Sequence, residues 1–399
     1  MVEPSPLLAR LRAETEEMVA HTARLAAVDS GSDEPGGVAR VSELTAELLA
    51  ARGFHTESGP AGGLCATLPV GAGPRLLVVG HADTVWPAGT AADWPVRRAG
   101  GMLTGPGVGD MKACLVMAIH ALAAARDGGL DGIGEITLLV VGDEERGSVS
   151  SRAWIEAHAA GSRACLGLEA GWPGGGVVVA RGAVGALELH ARGRSAHCAG
   201  HEGRGASAVA ALAPLVGALE ALSRPVDEVL VSIGIFRGGI ARQVVPDRAE
   251  LSIDLRAPSA EAASAVLAAA RAVVNGAPDG AGHEAAVSLQ LSGGITRPAF
   301  PEAASRELYA IAARRAAQLG LPLTAVRSRG GSDASFAAAQ GVATLDGLGP
   351  VCHDSCARGE RIEIDSLAGR AALMALMACD LAADWSGQAR DSGNVDAPA

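Results

Sequence analysis

Apolar positions along the chain fall into two kinds of pattern. Up to residue 181, and again after 295, short runs that are apolar throughout alternate with stretches of helical spacing. Leucine and alanine recur at helical intervals over 7–28 and 38–51, with Gly53 as a stop just beyond the second stretch. Buried strands are predicted at 75–80 (RLLVVG), 135–141 (EITLLVV) and 164–168, and helices at 112–125 and 148–159. Strands with no polar face that alternate with helices predict a mostly parallel sheet covered by helices on both faces. From 182 to 294 the pattern changes. Strands predicted at 184–191, 228–236, 248–256 and 284–291 alternate apolar with polar residues, and helices at 206–222 and 260–274 interleave with them. That β-α-β-β-α-β order is the ferredoxin-like unit. Helix and strand then alternate again at 302–319, 323–326, 334–339, 342–345 and 366–383. The expectation is an α/β domain, 1–181 with 295–399, interrupted by an inserted α+β ferredoxin-like domain at 182–294. The polar tail after Trp385 is expected to fray.

Composition narrows the class. A chain of 399 residues suits two domains, and 49% apolar against 19% charged residues is enough for a large core. Thirty-three basic residues face 44 acidic ones, a net charge of −11, which argues against a nucleic-acid partner because phosphate binding needs a basic face. No uninterrupted apolar run reaches the roughly 18–20 residues of a membrane span, so no membrane partner is expected. Charges within the first 20 residues leave no room for the apolar stretch of an export signal. Seven scattered cysteines suit reduced thiols and a cytoplasmic setting. Lys112 is the single lysine; every other basic residue apart from histidine is arginine.

The chemistry collects at strand ends. Open parallel sheets bind ligands beyond the carboxyl ends of their strands. Three strands here run into metal-type donors: 75–80 into His81 and Asp83, 135–141 into Asp143, Glu144 and Glu145, and 164–168 into Glu169. Asp110 follows a glycine-rich turn, 104–109, that opens the Lys112 helix. Any one of these acids alone reads as a surface loop residue. Together at one sheet edge they repel one another unless cations sit between them, and so ask for a metal.

These stretches resemble the zinc aminoacylase/carboxypeptidase group, the M20-type peptidases, and within it the glutamate carboxypeptidase-like branch. The matching segments are HADTV at 81–85, GPGVGDMK at 105–112, DEERGS at 143–148, LE at 168–169, GRSAH at 193–197 and GSDA at 331–334, in the family's order over nearly the whole chain. The resemblance implies hydrolysis of the amide of an N-acyl amino acid or small peptide with a free α-carboxylate. It implies two zinc ions, with cobalt or manganese also suited, bridged by Asp110. His81 and Glu169 would complete one site, and Glu145 with a late histidine the other. Asp83 would orient the His81 imidazole, and Glu144 would be the general base. The inserted domain would be a lid or dimerisation module, with His197 reaching the active site of the partner in a homodimer to stabilise the oxyanion. His201 has no such match and is assigned a structural or exposed place.

Two departures from the family pattern stand out. Counted back from Glu360, the last histidine's position falls on Cys356, whereas His353 lies three residues earlier. His353 is preferred as the ligand because imidazole keeps the site's charge; Cys356 is the alternative, since thiolate also binds zinc. Loss of the second site would instead suit a non-hydrolytic relative that keeps the fold and binds a ligand or partner. Gln243 stands where the family has asparagine before the Val244-Val245-Pro246 turn. Arg256 and Arg297 are candidates for a substrate carboxylate, which a guanidinium receives in two hydrogen bonds. Gly331, in the turn that opens the 334–339 helix, offers a backbone N–H to the same anion.

Overall fold

The strand Arg75–His81 is apolar on both faces because both faces are covered. In the computed structural model, Leu76 and Val78 enter a core built with the helices Thr15–Ala26, Ala113–Asp127 and Ile364–Gly393. Leu77 and Val79, the alternate residues, enter a second core with Ile155 of the helix Arg152–Ala159 and Phe336 of the helix Ala334–Ala339. The structure describes residues 3–200, 204–276 and 287–393. The sheet has six strands in the order His55–Ser58, Leu64–Pro69, Glu135–Val141, Arg75–His81, Ser162–Gly167 and Ala343–Leu345. The last four are parallel, and Leu64–Pro69 joins them antiparallel. The mostly parallel α/β architecture expected from the apolar runs is thus present. The first two strands escaped prediction because they are short and carry polar residues.

The chain divides into two units, Met1–Ala180 with Phe300–Arg327 and Ser332–Ala399, and Arg181–Ala299 with Ser328–Gly331. The second contains a four-stranded antiparallel sheet in the order Leu230–Gly238, Arg248–Ala257, Ala183–Arg192, Ser288–Arg297. Leu187, Leu189, Leu251, Ile253 and Leu255 face the core shared with the helices Ala208–Glu220 and Ala260–Asn275, and the intervening residues face away. Each helix is capped by a serine: Ser207 and Ser259 accept hydrogen bonds from Ala210 N and Ala262 N at 3.1 and 3.2 Å. The last strand runs to Arg297, so this unit extends beyond the expected boundary at 294. Residues 284–286, where that strand was predicted to begin, and His201 lie outside the described residues.

Two further expectations change. The helix predicted over 7–28 is two helices, Pro4–Ala13 and Thr15–Ala26, that meet at Glu14, whose carboxylate takes Arg10 and His120. The tail after Trp385 does not fray at once. The final helix continues to Gly393, with Leu381, Ala382 and Trp385 still buried against the core. Two helical stretches, Val108–Asp127 and Ile364–Gly387, are long and apolar enough to cross a membrane, but 94% and 89% of their most apolar windows lie inside the protein. Both are core helices here.

The long C-terminal helix is tied down by charge as well as by packing. Asp380 accepts from Arg315 Nε at 2.9 Å and Arg314 Nη2 at 2.8 Å, with a second bond from Arg315 Nη2. Burial pushes the Asp380 carboxyl up, but hydrogen bonds from Arg315 and Arg314 outweigh it, leaving the group below the ordinary carboxylate range. The pairing therefore stabilises the fold fully above the unfolded value of 3.8 and loses its effect as pH falls through the lower folded value. Asp380→Asn should cost about 2 kcal/mol at neutral pH, between the figures for exposed and buried pairs. In urea unfolding, the gap between wild type and variant should narrow as the solution is acidified below that range. A gap that is absent at pH 7 would show the pair to be dispensable.

Candidate metal centre

Asp83 organises the edge of the parallel sheet. Its carboxylate is fully buried and accepts from Ser32 Oγ at 2.6 Å, from Glu144 N at 3.1 Å and from Glu145 N at 3.0 Å. It also faces His81, whose Nδ1 lies 3.3 Å from Asp83 Oδ1 and 2.9 Å from the Asp83 carbonyl oxygen. One side chain thus fixes both the imidazole at the end of one strand and the turn Glu144–Arg146 at the end of the next. Burial raises the Asp83 pKa, but the His81 hydrogen bond and charge, with help from Ser32 and the Glu145 N–H, bring it below the ordinary value. Asp143 closes the same turn, accepting from Ser150 N at 2.7 Å and from the Ser151 hydroxyl.

Held this way, His81 turns Nε2 towards Asp110 Oδ1 at 3.1 Å and Glu169 Oε1 at 4.0 Å. Asp110 lies in the turn Val108–Lys112 that leads into the helix Ala113–Asp127. Glu360 holds that turn, because its buried Oε1 accepts from Gly109 N at 2.8 Å and Asp110 N at 3.1 Å. Gly109 must lack a side chain, since a Cβ would come within 2.2 Å of Cys352 Sγ. On its other side Asp110 Oδ2 accepts from Ser355 Oγ at 2.8 Å and Cys356 Sγ at 3.3 Å, and Cys356 Sγ is 4.0 Å from Glu145 Oε1.

Asp110 therefore belongs to two donor groups, His81–Asp110–Glu169 and Asp110–Glu145–Cys356, each with ligand atoms within 4.8 Å of one another. Donors around one zinc ion sit about 2.0–2.3 Å from it, hence at most roughly 4.5 Å apart, so each group closes on a cation with small side-chain adjustments. The charges point the same way. Burial, then the charge of Asp110, pushes the Glu145 carboxyl up to about 9. Burial acts to lower His81, yet bonds to Asp110 and Asp83 raise it well above its ordinary value. Asp110 itself is pushed up by burial and brought down to about 2 by His81, Ser355 and Cys356. Both upward shifts mark a site short of positive charge, which divalent cations are suited to supply.

His353 is placed differently from the preferred expectation. Its Nε2 pairs with Glu363 Oε1 at 2.8 Å across the short strands Cys352–His353 and Arg361–Glu363, and Cys356 takes the position beside Asp110 and Glu145. In that hairpin His353 stands opposite Arg361, and its imidazole reaches diagonally to Glu363, two residues further on. Lys112 is buried, and Nζ donates to the Val28 carbonyl at 2.9 Å; burial lowers its pKa to about 8, against the charges of Glu360 and Asp29. It anchors the helix entry. Glu144 lines a small cleft with His81, Glu169, Ser332, Asp333 and Asp346. Ser32, Ser355 and Glu360 were not singled out from the sequence as site residues. None of the three carries a local signal: Glu360 stands in the charged stretch 358–365, and isolated serines are common anywhere.

The remaining candidates lie in the second unit. His197 is exposed, its Nδ1 accepts from Ala199 N at 3.1 Å, and its segment bridges to Val244. Cys198 N donates to the Gln243 carbonyl at 3.0 Å, so His197 and Gln243 are neighbours. Arg256 is engaged with Asp254 through two hydrogen bonds of 2.8 and 2.9 Å. Arg297 is buried and its side chain covers Gly331, where a Cβ would meet Arg297 Cγ at 2.8 Å.

A profile of Peptidase family M20/M25/M40 matches residues 77–380. Carboxypeptidase G2 of Pseudomonas sp. strain RS-16 is 26% identical over 370 residues, covering 90% of this chain and 88% of that protein. A succinyl-diaminopimelate desuccinylase of Methylobacterium nodulans is 40% identical over 131 residues, 28% of this chain and 32% of its own. Among solved structures, the M20 family metallo-carboxypeptidase Sso-CP2 of Sulfolobus solfataricus is similar in fold, with a TM-score of 0.74 at 15% identity over 92% of this chain and 99% of that one.

The two donor groups give a direct comparison. Cys356→Ala should lower the zinc content by about one ion per chain, and His353→Ala should leave it unchanged, as read by elemental analysis of dialysed protein. The reverse result would place the second site on His353.

Proposed function

The chain belongs to Peptidase family M20/M25/M40, and on that premise we propose that it is a two-metal amidohydrolase. Its substrate is an N-acyl amino acid or small peptide with a free α-carboxylate. The observation that carries this reading is that Asp110 is shared by two donor groups while Glu144 lines a cleft with His81 and Glu169. The relatives' names, a carboxypeptidase and a desuccinylase, both describe amide hydrolysis. We assign His81, Asp110 and Glu169 to one cation and Asp110, Glu145 and Cys356 to the other, with zinc favoured by the thiolate and cobalt or manganese as substitutes. When bound, such a pair polarises the scissile carbonyl and acidifies water at neutral pH.

The protein's own groups do the rest. Glu144 takes the proton from the attacking water and passes it to the leaving amine. Asp83 keeps the His81 ring and the Glu144 backbone in one frame, so the base and the donors cannot drift apart. In the second unit, the Ala199 N–H bonded to Nδ1 makes Nε2 of His197 the N–H donor of the neutral ring, the tautomer an oxyanion requires. We assign it that role within a homodimer. The edge strand Leu230–Gly238, which exposes Ile235 and Phe236, supports such an assembly. For the substrate α-carboxylate we assign Arg297 with Gly331 and Gln243. Arg256 is less suited, because Asp254 already occupies its guanidinium.

Glu144→Gln removes the proton carrier and keeps the side-chain shape. Turnover of a cleaved N-acyl amino acid should fall by about 10²–10⁴-fold with metal content unchanged. Undiminished turnover would remove Glu144 as the base.

A further inference from the structure

Two segments that build the metal centre continue into an aromatic and cationic cluster. The chain after Asp83 reaches Trp86, and the loop that holds Cys356 reaches Arg358. The indoles of Trp86 and Trp94 meet edge to face, with centroids 5.3 Å apart at 78°. The guanidinium carbon of Arg358 lies 5.6 Å from the Trp86 ring centre and 5.7 Å from that of Trp94. The Trp segment is firmly seated. Asp29 accepts from Gly89 N and Ala91 N, each at 2.7 Å, and the Trp86 carbonyl sits so close to Gly31 that a Cβ there would come within 2.4 Å. Glu360, which receives the N–H groups of Gly109 and Asp110, also lies beside the Trp86 side chain.

Arg361, three residues further on, already pairs with Asp354. Arg358 differs. It is exposed, and among the described residues its charge meets only the two ring faces. Stacking on an aromatic face fixes the plane of a guanidinium while leaving its N–H edge open, the edge that receives a carboxylate in two hydrogen bonds. Indoles on one side also keep water from that face, which strengthens an ion pair formed there.

We propose that Trp86, Trp94 and Arg358 form a specificity subsite that receives a carboxylate on the acyl group of the substrate, so that amides of dicarboxylic acids are preferred over those of neutral acids. This rests on the amidohydrolase reading for the centre it borders. The α-carboxylate on the amine side is assigned to other residues, which leaves Arg358 to the acyl side.

Zinc-loaded full-length protein is titrated with succinate and with butyrate, followed by tryptophan fluorescence. Both can approach the metals through one carboxylate, so the difference between them isolates the second. Succinate should bind at least tenfold more tightly to the wild type. The preference should vanish in Arg358→Ala and survive in part in Arg358→Lys, with metal content and thermal unfolding unchanged. Equal affinities in the wild type, or a preference that persists in Arg358→Ala, would overturn the subsite. In kinetics, Arg358→Ala should raise KM for N-succinylalanine at least tenfold and leave N-butyrylalanine within threefold. An equal loss on both would move Arg358 to the α-carboxylate and overturn the acyl assignment. A succinate preference with no turnover of any amide would uphold the subsite and defeat the amidohydrolase reading.

Discussion

The arrangement of the site depends on one buried carboxylate. Asp83 is the point where two parallel strands are locked to each other at their carboxyl ends, because it faces the His81 imidazole and accepts from two successive backbone N–H groups of the Glu144–Glu145 turn. A buried carboxylate costs free energy unless its lone pairs are used, and here the ring, a serine and two amides use them. The consequence is geometric. Glu144 and Glu145 are adjacent in sequence, yet the turn lets one line the cleft and the other join the Asp110 group. On the proposed roles, that division separates the base, Glu144, from the metal ligand, Glu145.

The second constraint is charge. Asp110, Glu145 and Glu169 come together at the edge of a sheet whose strands are buried on both faces, where water screens them poorly. The cluster answers with a Glu145 carboxyl and a His81 imidazole both pushed above their ordinary values. Such a site favours added positive charge, so binding of a cation there would be linked to proton release. Cys356 fits the same logic. Burial and the charges of Asp110 and Glu145 push its thiol pKa up, and a soft divalent cation is what would make a thiolate favourable there.

Much of this was legible from the residues alone. The apolar runs at 75–80 and 135–141 announced a sheet covered on both faces, and the alternating strands after 182 announced a half-exposed one. The acids and the imidazole at the strand ends could be picked out because several of them gather at one sheet edge, where they repel one another unless a cation sits between them. The 352–356 loop could not be read so directly. Whether His353 or Cys356 lies beside Asp110 depends on the path of the loop between the short strands Cys352–His353 and Arg361–Glu363, in which Cys356 takes a left-handed φ of 57°. Glu360, Ser32 and Ser355 act through hydrogen bonds that span tens to hundreds of positions, with no local pattern to reveal them. The final helix outran its expected end at 383, and Trp385, just beyond that end, is buried by a tertiary contact that no local pattern announces.

The central claim is that Asp110 bridges two cations held by His81 with Glu169 and by Glu145 with Cys356. Anomalous diffraction from zinc-soaked crystals, collected on both sides of the zinc absorption edge, tests it most directly. The account predicts two peaks about 3.5–4 Å apart flanking the Asp110 carboxylate, one of them next to Cys356 Sγ. A single peak, or peaks that do not touch Asp110, would contradict it.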